Sequence, residues 1–358
     1  MQKFVVSRDD QVYEAVPDLT LTASGRLVCV FAEWQHHMDR RYSRIVLVRS
    51  EDRGRTWSEK YPLTEPTAGI PHLNCPSISR LRDGRLVALI DRIGVVKSEA
   101  AAHPERLENL MYVSEDEGLT WSDPVLTPAQ GIVPDKLLEL PSGRWIISAQ
   151  IRNENNEGIQ RLWYSDDQGS SWSDPVTVGY LEGRILSEVS ILPLDDTTLV
   201  AFHRENSMLG LDCFKTISRD RGESWSEPIA FPLPGCHSPA AGLLRDGRVL
   251  ITYRFFQGGR IGFGIGAQNL SAALTDRESV LAPTRNETHV RILPVDYDRS
   301  VEPDLGYSGW VQFDDGEIYI VNYIVDDAPK AQIRGYSLTV DDFVLPGSAT
   351  SPWEMSLH

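Results

Sequence analysis

Hydrophobic residues in this chain occur in short runs, and one arrangement of runs and turns recurs along the sequence. Each copy has an apolar run, a turn that ends in Asp-Gly or an equivalent pair, and a second apolar run. Asp-Gly between two apolar runs is a strong signal for a β-hairpin. Six such units predict six equivalent sheets, each starting with its innermost strand. The six copies span 16–31, 75–90, 134–149, 188–203, 238–253 and 307–322.

A second repeat, with the pattern S-x-D-x-G-x-[ST]-W, lies between these units at 50–57, 114–121, 165–172 and 218–225. Its Asp is able to accept hydrogen bonds from amides of its own loop, and its Gly permits a positive φ. Its Trp provides a large apolar body that anchors the turn. We therefore expect a structural hairpin corner, and not a catalytic or metal-binding group, at each of Asp52, Asp116, Asp167 and Asp220.

The phrase resembles the Asp-box of the sialidase-like β-propellers, in which it is a structural element far from the active site. This resemblance covers essentially the whole chain, and it implies an all-β, six-bladed β-propeller with Asp-box turns in blades 1–4. The N-terminal segment 3–7 is predicted to supply the outer strand of the last blade, which closes the ring and hides sheet edges. No low-complexity linker divides the sequence, so residues 1–358 are predicted to form one domain.

The net charge of −16 argues against nucleic acid or an anionic membrane as a partner, because there is no basic field to attract either one. A local cationic pocket for a carbohydrate with a carboxylate is compatible with this charge. No cofactor and no metal are predicted, since no metal-ligand spacing is present. The four cysteines are widely spaced without a C-x-x-C pair, which favours buried thiols over a disulfide framework: Cys29, Cys75, Cys213 and Cys236.

The first ten residues contain no long apolar run. This predicts a cytoplasmic protein, whereas a secreted protein trimmed of its signal segment would show the same pattern. The oligomeric state is not indicated by the sequence.

Equivalent positions of the six units indicate where chemistry should lie, because in a propeller the starts of the innermost strands surround one mouth of the axial channel. The residues at this entry position are Val16, Cys75, Pro134, Glu188, Ser238 and Tyr307. The following strand ends seven residues after each turn, at Ala32, Asp91, Gln150, Arg204, Arg254 and Tyr323.

Glu188 and Tyr307 stand out among the entry residues. A buried carboxylate is costly unless it is paired, so Glu188 with Arg204 is compatible with a merely structural ion pair, and Tyr307 with a packed aromatic. Together, however, the segments around them resemble the sialidase segments in which a Glu activates a Tyr nucleophile. The resemblance implies that Tyr307 is the nucleophile and Glu188 its base.

The same resemblance implies that arginines hold the substrate carboxylate, and bidentate guanidinium contacts suit that role. Arg204 is one candidate, and Arg254 and Arg260 compete for another. Asp39 lies in the first-blade segment in which sialidases place their general acid/base, with Glu33 nearby. The predicted function is thus an exo-acting retaining glycoside hydrolase of sialidase type, which releases a terminal acidic sugar.

The chain departs from the sialidase pattern on its opening strand. Sialidases have the first arginine of the carboxylate clamp in a Phe-Arg-Ile-Pro phrase, and Ala15 occupies the Arg position here. Either the substrate is not an ordinary sialic acid or another arginine substitutes. The available candidates are Arg8, Arg40, Arg41 and Arg92.

Histidines around the same mouth predict an alternative function, because His is the natural acid/base near neutral pH. A polysaccharide lyase acting on a uronate-containing glycan would use His or Tyr for proton transfer and an Arg or Asn to neutralise the uronate carboxylate. Its candidate residues are His72, Asn74, His237 and Tyr307, with His36, His37 and His203 close by in the sequence. A third hypothesis is a non-catalytic glycan-binding propeller.

Overall fold

The computed structural model describes residues 1–94, 107–153, 157–257 and 266–344, and it confirms the six-bladed β-propeller. One short helix, α1 (Arg277–Leu281), and 3-10 turns at Arg285–Glu287 and Val340–Phe343 accompany the strands. The strands are β1 (Gln2–Ser7), β2 (Tyr13–Leu21), β3 (Leu27–His36), β4 (Asp39–Ser50), β5 (Tyr61–Pro62), β6 (Thr67–Ala68), β7 (His72–Arg80), β8 (Leu86–Ile93), β9 (Leu107–Ser114), β10 (Val125–Leu126), β11 (Leu138–Glu139), β12 (Trp145–Arg152), β13 (Gly158–Ser165), β14 (Val176–Gly179), β15 (Leu186–Pro193), β16 (Leu199–Glu205), β17 (Asp212–Ser218), β18 (Ile229–Pro234), β19 (Cys236–Leu243), β20 (Val249–Phe256), β21 (Gln268–Thr275), β22 (Arg291–Tyr297), β23 (Leu305–Gln312), β24 (Ile318–Ile324) and β25 (Gln332–Leu338).

Each blade is an antiparallel sheet whose first strand lies at the axis. Blades 1–5 are β2-β3-β4-β5, β7-β8-β9-β10, β11-β12-β13-β14, β15-β16-β17-β18 and β19-β20-β21-β22, and β6 adds to β4 in the first. Their second strands are buried almost throughout, because neighbouring blades cover both faces of each sheet. The third blade differs from the sequence prediction, since its innermost strand begins only at Leu138. Pro134 has no N–H to donate to a ladder there.

The last blade joins the two ends of the chain. Its order is β1-β25-β24-β23, so the N-terminal strand is hydrogen-bonded to the C-terminal one. Phe4 of β1 lies opposite Gly335, and its ring stacks on Tyr319 with centroids 6.1 Å apart. Tyr319 also donates to the carbonyl of Gly54, at 2.8 Å, in the first Asp-box. These contacts close the ring and protect the edge of β25.

The four Asp-boxes connect the third strand of a blade to the fourth, as predicted. In the first box, Asp52 accepts hydrogen bonds from the Thr56 amide at 2.8 Å and the Thr56 hydroxyl at 2.6 Å. These bonds lower the pKa of Asp52 to about 2. Trp57 donates to the Gly54 carbonyl of the same turn at 3.2 Å. The carboxylate is therefore occupied inside its own corner.

Side chains near the axis hydrogen-bond to the backbone of the next blade. Asp18 of blade 1 accepts from the Ile78 amide of blade 2 at 2.8 Å. Asp135 of blade 3 accepts from the Ile191 amide of blade 4 at 2.7 Å. These hydrogen bonds link each of the two blades to the next one around the axis.

The four cysteines are buried free thiols, as predicted. Among the described residues, no helix has the length and apolar character that crossing a bilayer requires.

Candidate functional site

The first strands of the blades share a local distortion that turns side chains towards the axis. Their pairing register shifts near the entry position, and in five blades the residue there has a positive φ between 43° and 53°. Such bulges re-aim a side chain and are found next to active sites. Blade 3 uses Val133 and not the predicted Pro134, because a proline ring holds φ negative. The other positive-φ residues are Val16, Glu188, Ser238 and Tyr307.

All six predicted entry residues line one axial cavity of about 70 Å³. The comparison of the six sequence units therefore located the channel correctly. Two of these entry residues, Glu188 and Tyr307, hydrogen-bond to each other across the axis.

Glu188, Tyr307 and Arg204 form one hydrogen-bonded group. The Tyr307 hydroxyl donates to Glu188 Oε1 at 2.5 Å, and Arg204 Nη1 donates to the same oxygen at 2.5 Å. Arg204 Nη2 donates to Asn206 Oδ1 at 2.6 Å, which orients the guanidinium. Glu188 and Arg204 are buried, whereas Tyr307 is partly exposed. Tyr307 is thus the member of the group that is partly accessible to solvent.

The charges in this group keep Glu188 ionised and Tyr307 protonated. Burial alone would raise the pKa of Glu188, but the charge of Arg204 and its hydrogen bond hold that pKa below its usual value. Burial and then the charge of Glu188 raise the pKa of Tyr307 well above its usual value. Glu188 is therefore ionised and Tyr307 protonated at rest, the state in which the carboxylate is able to accept the phenolic proton.

Arg254 lies behind Tyr307 and does not face the cavity. Its guanidinium is 5.6 Å from the centre of the Tyr307 ring, and its side chain is fully buried. It donates to the Leu305 carbonyl at 3.1 Å and approaches His237 Nδ1 at 3.3 Å. In this conformation Arg254 contacts β23, the strand that carries Tyr307, from within the protein. The competing candidate, Arg260, lies outside the described residues.

A second cavity, of about 830 Å³, is formed mainly by the first-blade loop. Asp39, Arg40, Arg41 and His72 line it, together with His37. Arg41 donates to Asp39 through Nε at 2.9 Å and Nη2 at 2.5 Å, so the two side chains form a bidentate pair. Hydrogen bonds from Arg41 lower the pKa of Asp39 to about 2.

Arg40 lines the second cavity and is held there by neutral partners. Its guanidinium lies 4.2 Å from the centre of the Trp34 ring, and its Nη1 donates to Asn74 Oδ1. Asn74 donates in turn to the buried Asp91 at 2.7 Å, which fixes the amide orientation. Within the described part of the chain, no Asp or Glu oxygen lies within 4.0 Å of the Arg40 guanidinium. A cation held by an amide and an aromatic face is able to bind an incoming anion.

The other arginines considered as replacements for the missing clamp residue are already paired. Arg8 donates to Asp10 at 3.0 Å, and Arg92 donates to Glu108 at 2.8 Å. Arg41 pairs with Asp39, and its side chain is 84% exposed. Ala15 itself is buried and pairs with Ala32.

The histidines are divided between the mouth and the core. His72 is partly exposed in the second cavity, and burial followed by the charge of Arg40 lowers its pKa to about 4. His237 is buried against Phe256, with ring centroids 5.1 Å apart. His203 is fully buried at 2.9 Å from the Thr216 hydroxyl. His237 and His203 therefore pack inside the protein, and only His72 of these three lines the second cavity.

Asp304 is a buried carboxylate of the site that sequence reasoning missed. It accepts hydrogen bonds from the Tyr13 hydroxyl and, at 2.8 Å, from the Tyr323 hydroxyl. His37 Nδ1 lies 2.7 Å from Oδ2, the oxygen that also accepts from Tyr13, and Arg254 Nη1 lies 3.8 Å from Oδ1. Its position three residues before Tyr307 was the available signal, but an Asp in a loop is usually solvated.

Comparisons with known proteins agree with this architecture. A sialidase from Clostridium perfringens is 24% identical over 194 residues, which cover 50% of each protein. A sialidase from Paraclostridium sordellii is 26% identical over 185 residues, covering 47% of this chain and 45% of that protein. The chain thus spans about half the length of the curated relatives it matches.

Solved structures show the same fold. A protein of unknown function from Dyadobacter fermentans has a TM-score of 0.78 at 22% identity, over 95% of this chain and 98% of that one. A Hadza microbial sialidase has a TM-score of 0.72 at 18% identity, over 96% of this chain and 69% of that one. The model of the BNR repeat-like domain family matches residues 70–320. The chain therefore belongs to the BNR repeat-like domain family, within the sialidase superfamily of Asp-box propellers.

Proposed function

We propose that this protein is an exo-acting retaining glycoside hydrolase of sialidase type, which releases a terminal acidic sugar. The observation that supports this most directly is the 2.5 Å hydrogen bond from the hydroxyl of Tyr307, a partly exposed residue, to the ionised Glu188 at the axial cavity. The low-identity matches to sialidases support the same class of reaction.

A tyrosine suits a substrate whose carboxylate is attached to the anomeric carbon. An anionic nucleophile would be repelled by that carboxylate, whereas a neutral phenol approaches it without repulsion. In the first step the Tyr307 oxygen bonds to the anomeric carbon as the glycosidic bond breaks, Glu188 accepts the phenolic proton, and a general acid protonates the departing oxygen. In the second step water displaces the tyrosine, the same acid, now a base, takes a proton from that water, and the tyrosine recovers its proton from Glu188. Two displacements retain the anomeric configuration.

Arg40 is the proposed receptor for the substrate carboxylate, in place of the arginine that Ala15 lacks. Arg204 is neutralised by Glu188, and Arg254 is sealed behind Tyr307. Arg40 faces the second cavity with an amide and an indole as its partners. It is connected to the axial mouth through Asn74, the residue next to Cys75 of the axial cavity.

Fluorogenic glycosides test the proposed reaction directly. We expect the protein to release the fluorophore from an α-linked sialoside or from another glycoside with a carboxylate on or next to the anomeric carbon, and not from matched neutral glycosides. Proton NMR of the first-formed product should show the retained anomer. Absence of turnover across a panel of acidic glycosides between pH 4 and 9 (about the range in which His and carboxyl groups titrate) would refute the hydrolase.

Replacing Arg40 with methionine is expected to raise KM for an acidic glycoside by about tenfold or more, because a charge-assisted contact contributes about 1.5–3 kcal/mol. The kcat should change less. Arg41→Met is the matched control, since Arg41 borders the same cavity but is engaged by Asp39. If KM rose only in the Arg41 variant, Arg41 and not Arg40 would be the residue that contacts the carboxylate.

One observation supports the alternative function, a uronate lyase. His72 is held neutral beside Arg40, which is the state and neighbour that a proton-abstracting base next to a uronate carboxylate requires. A lyase creates a C=C bond conjugated to the carboxylate, so ultraviolet absorbance rises during the reaction. The hydrolase produces no such absorbance with the same glycan.

A further inference from the structure

The leaving group of a glycosidase must receive a proton, and the second cavity offers two residues of the first-blade loop for that purpose, Asp39 and His37. Asp39 is poorly suited. Both of its oxygens accept hydrogen bonds from Arg41, on the open side of the loop. A carboxylate in a bidentate pair with a guanidinium is held ionised, and so it has no proton to give.

His37 occupies a different environment two residues earlier. Its Nδ1 lies 2.7 Å from Asp304 Oδ2, and its side chain is 14% exposed while it lines the cavity. Asp304 also accepts from the hydroxyls of Tyr13 and Tyr323. Because both hydroxyls donate to it and the Arg254 guanidinium lies 3.8 Å away, Asp304 acts as an ionised acceptor.

This arrangement assigns the tautomer of the imidazole. An ionised carboxylate only accepts hydrogen bonds, so Nδ1 of His37 bears the proton that faces Asp304. Proton exchange with a bound molecule then falls to Nε2. A buried carboxylate that orients a His in this way is a recurring feature of His acid/base catalysis.

The position of Asp304 links His37 to the nucleophile. Asp304 directly precedes β23, the strand on which Tyr307 lies, and the ring of Tyr323 is 6.4 Å from the ring of Tyr307. The imidazole is therefore braced by the same strand that presents the phenol. A proton donor and a nucleophile must keep a constant separation across the scissile bond.

We infer that His37, oriented by Asp304, is the general acid/base of the proposed glycosidase in place of Asp39. This inference rests on the proposed function. In the first step the His37 imidazolium gives its proton to the glycosidic oxygen as that C–O bond breaks and the Tyr307 C–O bond forms. In the second step His37 takes a proton from the attacking water as the Tyr307 C–O bond breaks. Asp304 is a positioning residue.

The leaving-group dependence of His37→Gln is the test, because glutamine keeps a polar side chain but transfers no proton. We expect kcat/KM for a glycoside with a poor alkyl leaving group to fall by about 10²- to 10⁴-fold, and that for an activated aryl glycoside to fall far less. Added azide, which needs no general base, should restore turnover of the aryl glycoside. Asp39→Asn is the matched control and should leave the leaving-group dependence unchanged.

Asp304→Asn tests the positioning role. His37 Nδ1 lies 2.7 Å from Asp304, and the imidazole lines the same cavity as Arg40 and His72. The substitution removes the carboxylate that orients the imidazole, so kcat/KM should fall more for the alkyl glycoside than for the aryl glycoside.

The opposite pattern would overturn the inference. His37 is not the proton donor if His37→Gln keeps full activity on the alkyl glycoside. A leaving-group effect confined to Asp39→Asn identifies Asp39 as the general acid/base. Neither result contradicts the proposed hydrolase activity. If the wild-type protein hydrolyses no acidic glycoside, the proposed function itself is refuted, so the two failures are distinguishable.

Discussion

Tyr307→Phe is expected to lower kcat for an acidic glycoside by on the order of 10³-fold or more. The substitution deletes the oxygen that forms the covalent bond and leaves the ring in place beside Arg254. KM should change much less, because the carboxylate contacts lie elsewhere. Steady-state kinetics with the fluorogenic substrate measure the loss, and mass spectrometry of the wild-type protein treated with a fluorinated glycoside should find the label on Tyr307.

Tyr323→Phe is the matched control for this prediction. Tyr323 is a neighbouring buried tyrosine whose hydroxyl contacts Asp304 and not Glu188. We expect it to retain most of the activity seen with an aryl leaving group. Unchanged turnover in Tyr307→Phe would refute the nucleophile, and a change confined to glycan affinity would favour the non-catalytic binding propeller.

Gly335→Ala is expected to destabilise the protein by about 3 kcal/mol, at the upper end of the cost of overpacking. A Cβ at this position would lie 1.9 Å from the Tyr319 hydroxyl and 2.6 Å from the ring carbon that bears it. Tyr319 cannot retreat, because it is fully buried and held by the Gly54 carbonyl. The substitution therefore strains the contact between the last blade, the N-terminal strand and the first Asp-box. Urea unfolding followed by tryptophan fluorescence measures the change.

A double-mutant cycle with Tyr319→Phe identifies the cause of that destabilisation. Tyr319→Phe alone should cost about 1 kcal/mol, the value of the lost hydrogen bond. The double variant should be less destabilised than the sum of the two single variants, because removal of the hydroxyl relieves the closest clash. Strict additivity would show that Gly335 acts through its backbone and not through Tyr319.

Much of the fold was predictable because its signals are local. Asp-Gly turns, alternating apolar runs and the contacts within an Asp-box involve residues only a few positions apart, such as Asp52 with Thr56. Equivalent positions in repeated units must occupy equivalent places, so Glu188 and Tyr307 were correctly placed on the axis. Pro134 was misplaced by one residue because the prediction followed the repeat and ignored the fixed φ of proline.

The electrostatics of the site were less predictable. Arg40, Arg41 and Asp39 are adjacent in the sequence, yet Arg41 engages Asp39 while Arg40 stacks on Trp34 and binds Asn74. Which neighbour pairs depends on the path of the loop in three dimensions. Likewise, Arg254 matched a clamp position by spacing, but packing seals it behind Tyr307. Residue type and spacing indicate a candidate, and burial decides whether a ligand reaches it.

The sequence by itself determined the superfamily, the number of blades and the Glu188–Tyr307 pair, because a repeated local pattern specifies both its own structure and its order around the axis. Only the tertiary structure decided which cations and proton carriers face the mouth. His37 and Asp304 are separated by 267 residues and meet through the closure of the ring. Contacts of that kind depend on the relative positions of whole blades, which no local pattern of residues encodes.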